Sequence, residues 1–347
     1  MKRYLNKAII YKELKASWWI TLILIFIVAT NEYSGFCRLL EVLQCSDEMI
    51  ANTTNIYGVS KYFADVNVLP IIFIILIIIS QTIIGSDRKG DFERVAAMPF
   101  TRKETIISKL AVGELVLIVP LIINFIMILS LYFYNYDIIH PYIKLGIIVK
   151  LLILNFLSYS TILSFLILIQ SISGKKIAGG ILGAILMFVP IGLLSLISFF
   201  VAMHLNKFEV LINVNSNLVE KVAAYSLVPL YNQLGLFPGI GYLSRVIVLI
   251  CLICIFIALT YYSYKKNHFE RTGNVLMFSF LEPILKMGVA VCSALMGFGI
   301  IYNIGRELMY KWNMQEGSIL VMADVGLLVT GILVYFLTHK YIKANRE

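Results

Sequence analysis

Long runs of Ile, Leu, Val and Phe alternate along this chain with short polar stretches, and the apolar runs are too long and too uniform for one-sided helices of a soluble core. A helix crosses a bilayer with about 20 mostly apolar residues. Eight stretches qualify, at roughly 16–36, 68–85, 106–134, 145–172, 177–203, 244–264, 283–304 and 317–338. The pattern therefore predicts an all-α integral membrane protein of about eight transmembrane helices. The apolar core of the first stretch is short, running from Trp18 to Ala29. No small-x-small site follows it, which argues for a retained span rather than a cleaved signal peptide.

Between the spans the pattern changes character. In residues 1–15, Tyr4, Leu5, Ala8, Ile9 and Tyr11 fall near one side of a helix, and Arg3, Asn6, Lys7 and Glu13 toward the other. This predicts an interfacial helix on the inner membrane surface, ending where the chain turns in at Trp18 and Trp19. Residues 37–67 are polar and turn-rich. Residues 204–243 are apolar in their second half but broken by Pro229 and Pro238, which suits short re-entrant or surface-lying helices. Gly179 and Gly183 form a small-x-x-x-small pair of the kind that lets membrane helices approach closely.

Composition makes the membrane reading firm: 60% of residues are hydrophobic, 14% are charged, and mean hydropathy is +0.87. Soluble domains are about 45–50% apolar and about 25% charged. With the N-terminus in the cytoplasm, 20 of the 29 Lys and Arg residues fall on inside segments and both termini face the cytoplasm. The net charge of +9 is thus read as membrane topology and not as nucleic-acid binding. Cys251 and Cys254 have C-x-x-C spacing but lie within an apolar span without a second pair, so a metal or redox site is not expected there. Whether Cys37 and Cys45 pair is left open by the sequence.

Candidate chemistry is sparse. No phosphate-cradling G-x-x-x-x-G-K-[ST] loop occurs, and the four histidines fall at or beyond span ends, which predicts no catalytic residues, no metal and no cofactor of its own. Intramembrane ionisable groups reduce to Glu114, Lys150 and Asp324. That scarcity counts against a proton- or sodium-coupled carrier. A stand-alone carrier or channel is the alternative reading, and an intramembrane enzyme lacks a catalytic set.

The charged stretch "SDRKGDFERVAAMPFTRKETIISK", residues 86–109, stands out between the second and third spans. Phe92, Val95, Ala96 and Met98 can form an apolar patch beside Glu93 and Arg94 on a short helix that Pro99 terminates. Thr101 and Glu104 then have capping-box spacing for the next helix. A plain cytoplasmic hairpin is the simpler alternative, but an apolar-faced helix with a hard stop reads better as a docking surface.

In these residues the chain resembles the membrane permease subunits of type-2 ABC exporters. Their hallmark between spans two and three is a charged turn, an acidic residue in a short coupling helix, then Pro, a basic residue and a Lys leading into span three. Here Arg88, Gly90, Asp91, Glu93, Pro99, Arg102 and Lys109 match it. The resemblance covers about residues 1–264 as a six-span permease domain, and 265–347 is an extension with two more spans, similar to an eight-span Gram-positive subgroup linked to cell-envelope stress and peptide-antibiotic resistance. It implies a non-catalytic subunit in the cell membrane, paired with a second permease copy or paralogue. It also implies a separate ABC ATPase that binds the ATP and docks on a coupling helix made of Gly90, Asp91, Phe92, Glu93, Arg94, Val95, Met98 and Pro99.

Overall fold

The computed structural model describes residues 5–45, 59, 68–85, 101–205, 241–266, 274–312 and 316–344. Within them the chain is all-helical: α1 (Lys7–Cys45), α2 (Leu69–Ile83), α3 (Arg102–Tyr134), the single turn α4 (Tyr136–Ile139), α5 (Leu145–Ile172), α6 (Lys176–Leu205), α7 (Tyr242–Lys266), α8 (Leu281–Trp312) and α9 (Glu316–Ala344). Seven of these are long and apolar enough to cross a membrane. The eighth, α2, has 15 residues, about 22 Å of helix, which is short of the roughly 30 Å hydrocarbon core. The protein is therefore a multi-pass membrane protein, and each predicted span lies within or against one observed helix.

One expectation at the N-terminus fails. Residues 7–15 do not form a separate helix that turns at Trp18; they run without a break into α1, a single helix of 39 residues, about 58 Å. Ile9, Glu13, Ser17, Ile20, Leu24 and Val28 form one buried stripe, spaced by three or four residues, that continues from the leader into the span.

Two compact units divide the chain: unit 1 comprises Met1–Met187 and Ala223–Asn267, unit 2 comprises Phe188–Val222 and His268–Glu347. In unit 1, α1 packs along α3, α5 along α7, and α2 against both α1 and α5. Toward the far end of α1 and α3, Phe36, Leu39 and Leu43 pack with Ile128, Tyr132, Ile139, Ile143 and Leu151, and the Tyr132 hydroxyl donates to the Ile143 carbonyl at 3.1 Å. In unit 2, α8 and α9 form a closely packed hairpin. A Cβ on Gly297 would strike Thr330, one on Gly305 would strike Ile319, and one on Gly326 would strike Ile301, so the absence of side chains at these three positions sets how near the helices lie.

Candidate functional site

The docking residues expected at Gly90, Asp91, Phe92, Glu93, Arg94, Val95, Met98 and Pro99 lie outside the described residues, as does Arg88. The helix ends on either side of 86–100 are described, and they are tied together. Thr101 caps α3 in the expected manner: its Oγ1 accepts from the Glu104 backbone N–H at 3.3 Å, and Glu104 Oε2 accepts from the Thr101 N–H at 3.1 Å. Two turns on, the Lys109 ammonium donates to the Ile83 carbonyl at 2.6 Å, at the last residue of α2. The same ammonium pairs with Glu13 of α1 at 3.3 Å, with side chains only 2% and 3% exposed. The backbone N–H of Asn6 donates to Ser108 Oγ at 3.0 Å.

Each contact has a physical reason. The last carbonyls of a helix lack intrahelical partners and carry the negative end of its dipole, so an ammonium is a good partner for α2. A lysine this deeply buried is costly unless a carboxylate compensates it, and Glu13 does so from a third helix. Residues 86–100 thus begin and end at a locked junction of α1, α2 and α3.

Further helix ends meet at the same junction. A Cβ on Gly85 would fall 2.7 Å from Lys176 Cγ and 2.9 Å from Gln170 Nε2, and that amide donates to the Lys176 carbonyl at 3.1 Å. Gly179 abuts Gln170, Gly180 abuts Gln81 of α2, and Gly183 abuts Leu166 of α5, so the small-residue pair seen in the sequence sits at a close helix approach. Arg102 Nη1 donates to the Lys265 carbonyl of α7 at 3.3 Å.

The other sequence candidates are dispersed. Glu114 receives a hydrogen bond from Ser160 on α5. The Lys150 ammonium sits 5.8 Å from the Tyr242 ring centroid. In unit 2, Asp324 lies 3.2 Å from His204, beside Phe200 and Phe298. His140 stacks on Tyr136, and His339 accepts from the Lys286 ammonium at 3.3 Å. Cys251 and Cys254 are exposed, and Cys37 is a free thiol. Among the described residues no group of three or more His, Cys, Asp or Glu side chains can hold a metal ion.

The buried charged side chains among the described residues are Glu13, Glu32, Lys109, Arg245 and Glu282, whereas of the three groups foreseen Glu114 and Asp324 are half-buried and Lys150 is exposed. The sequence pattern puts Glu13 on the polar side of an interfacial helix and Lys109 at a span entrance. The continuation of the Ile20–Leu24–Val28 stripe back through Ser17 to Glu13 was the signal that could have revealed the first. The pairing itself joins positions 96 residues apart and leaves no local trace. No protein-family model, curated protein or solved structure matches this chain.

Proposed function

We propose that this chain is the membrane permease subunit of a type-2 ABC exporter, built as a homo- or heterodimer in the cell membrane with both termini in the cytoplasm, and driven by a separate ATPase that docks on residues 90–99. Peptide antibiotics and cell-envelope molecules are the substrate classes that the resemblance favours. The observation that carries the reading is the junction itself: a hydrophilic segment of 15 residues, 86–100, leaves and re-enters the helices at Ile83 and Thr101, where Lys109 binds the end of α2 to α1 and α3. Force applied to such a segment reaches three helix ends together, because none can move without disturbing the Lys109 contacts. Closure of the ATPase on its nucleotide then rocks α2 and α3 and opens the path outward.

The test is hydrolysis. The purified chain alone turns over no ATP, and its complex with the ATPase isolated from the same membranes does. ATPase activity in the single chain, lost on substitution of its own residues, contradicts the proposal. For orientation, cysteines placed at Asn52, Asn215 and Asn313 are labelled from outside and one at Lys266 is not; outside labelling of position 266 overturns the second half of the topology.

A second reading, a stand-alone ion-coupled carrier, draws support from Glu114 and Glu32 within the helices of unit 1. Transport by the reconstituted single chain, driven by an ion gradient without ATP, would select it.

A further inference from the structure

Two polar side chains stand in the seam between α1 and α3 with polar atoms that bond to nothing. The helices run side by side in the same direction. Asn6 and Glu13 meet Ser108 and Lys109 near their starts, and Phe36, Leu39 and Leu43 pack with Ile128 and Tyr132 near their ends. Val28, Glu32 and Phe36 follow one another four residues apart on α1, as Asn124, Ile128 and Tyr132 do on α3, and all six are buried. The Glu13–Lys109 pair sets Val28 level with Asn124 and Glu32 level with Ile128, so Glu32 and Asn124 differ in height by four residues, about 6 Å. Asn124 is 1% exposed and Glu32 3%. Neither Oδ1 nor Nδ2 of Asn124 has a hydrogen-bond partner, nor does Oε2 of Glu32.

Polar side chains that hold membrane helices together bond across the seam, as Lys109 and Glu13 do. Asn124 and Glu32 leave atoms unbonded, and each such buried atom is a cost carried by the closed seam. Pro120, one turn before Asn124, has no N–H for the Val116 carbonyl and interrupts the hydrogen-bond ladder of α3. The part of α3 from Asn124 onward can lean away from α1 about that break. We propose that this seam is the closed gate of a polar passage through unit 1. When it parts, Glu32 and Asn124 line a site for water and for polar solutes that both donate and accept hydrogen bonds. The atoms set that chemistry: Asn124 needs an acceptor for its amide hydrogens and a donor for its oxygen, and Glu32 needs a donor. Water meets all three needs, and so does a solute bearing amide or amine groups. The inference rests on the helices of unit 1 alone and stands whether or not an ATPase drives the chain.

A charged methanethiosulfonate reagent modifies a thiol in water and not one in hydrocarbon, which tests the passage on the full-length chain. The reagent is added to both faces of native membranes supplied with ATP, and peptide mass spectrometry reads the rate at each position. Asn124→Cys and Val28→Cys report from the two sides of the seam. Ile122→Cys, on the opposite side of α3, and the native Cys254, midway along α7, are exposed controls away from the seam. Both reporters are modified at least about tenfold faster than the controls, since a charged reagent is all but excluded from hydrocarbon. In the Val28→Cys chain, Glu32→Leu with Asn124→Leu removes the unbonded polar atoms from the closed seam, and labelling slows on the order of tenfold. The rate and not the yield is read, so a poorly expressed variant still reports. Either reporter modified no faster than the controls overturns the proposal, and so does a double leucine variant that labels as fast as its parent.

Discussion

In unit 1 the buried side chains include Glu13, Glu32, Lys109 and Arg245, with Asn31, Asn124, Asn155, Gln170 and a series of serines and threonines; in unit 2, among the described residues, Glu282 is the one buried polar side chain. Unit 2 is held instead by glycines set against the facing helix and by the packing of Phe298, Tyr302 and Ile319 with Phe199 and Phe200. Lipid tails are as apolar as leucine, so apolar burial drives helices together only weakly in a membrane, and close packing or polar contacts must hold them. Unit 1 also has close approaches, at Gly85, Gly179, Gly180 and Gly183, so it combines both means where unit 2 relies on close packing. Close packing gives a fixed contact. Directional polar contacts have discrete alternatives, which suits the unit expected to change shape.

The largest effect expected from this contrast is at the buried ion pair. Glu13→Gln or Lys109→Met alone leaves a buried charge uncompensated and destabilises the protein by about 3–5 kcal/mol. Replacing both together, as Glu13→Leu with Lys109→Met, recovers most of that loss. Thermal denaturation of the detergent-solubilised chain measures all three, and an additive double variant would refute the pairing. In unit 2 the counterpart is Gly326→Leu, which forces a side chain into Ile301 and costs about 1–3 kcal/mol. Gly317→Ala, which meets nothing within 4 Å, stays within about 0.5 kcal/mol.

Smaller effects sharpen the same distinction. Thr101→Ala removes the cap of α3 and costs about 1 kcal/mol, seen as earlier hydrogen exchange in the first turn. Asp324→Asn in unit 2 breaks a pair whose side chains are 43% and 30% exposed, and the loss stays below about 1 kcal/mol.

The positions of the helices were legible because apolar run length is a local property of the chain. The limits of α1 were not. Glu13 and Lys15 before the apolar core, and Arg38 and Glu41 after it, end a hydropathy window, but they do not end a helix whose hydrogen bonds run on through them. The capping box at Thr101 was legible because its two partners are three residues apart. The Glu13–Lys109–Ile83 lock was not, since its members come from three helices and each alone reads as an ordinary flanking charge or an apolar span residue. The close approaches at Gly179 and Gly183 were foreshadowed by their spacing. Their partners, Gln170 and Leu166, were not.

The central claim is the proposal that residues 90–99 are a docking helix for an ATPase, and binding of the ATPase by the wild-type and doubly substituted chain tests it most directly. Buried aromatic and charged anchors commonly cost about 2 kcal/mol or more on truncation. Phe92→Ala with Glu93→Arg therefore weakens ATPase binding on the order of thirtyfold, with membrane insertion and the Glu13–Lys109 junction unchanged. Recovery of the ATPase in pull-downs at matched levels of the chain falls accordingly. Equal recovery would mean that the segment only connects α2 to α3, and the exporter reading would lose its support in the residues.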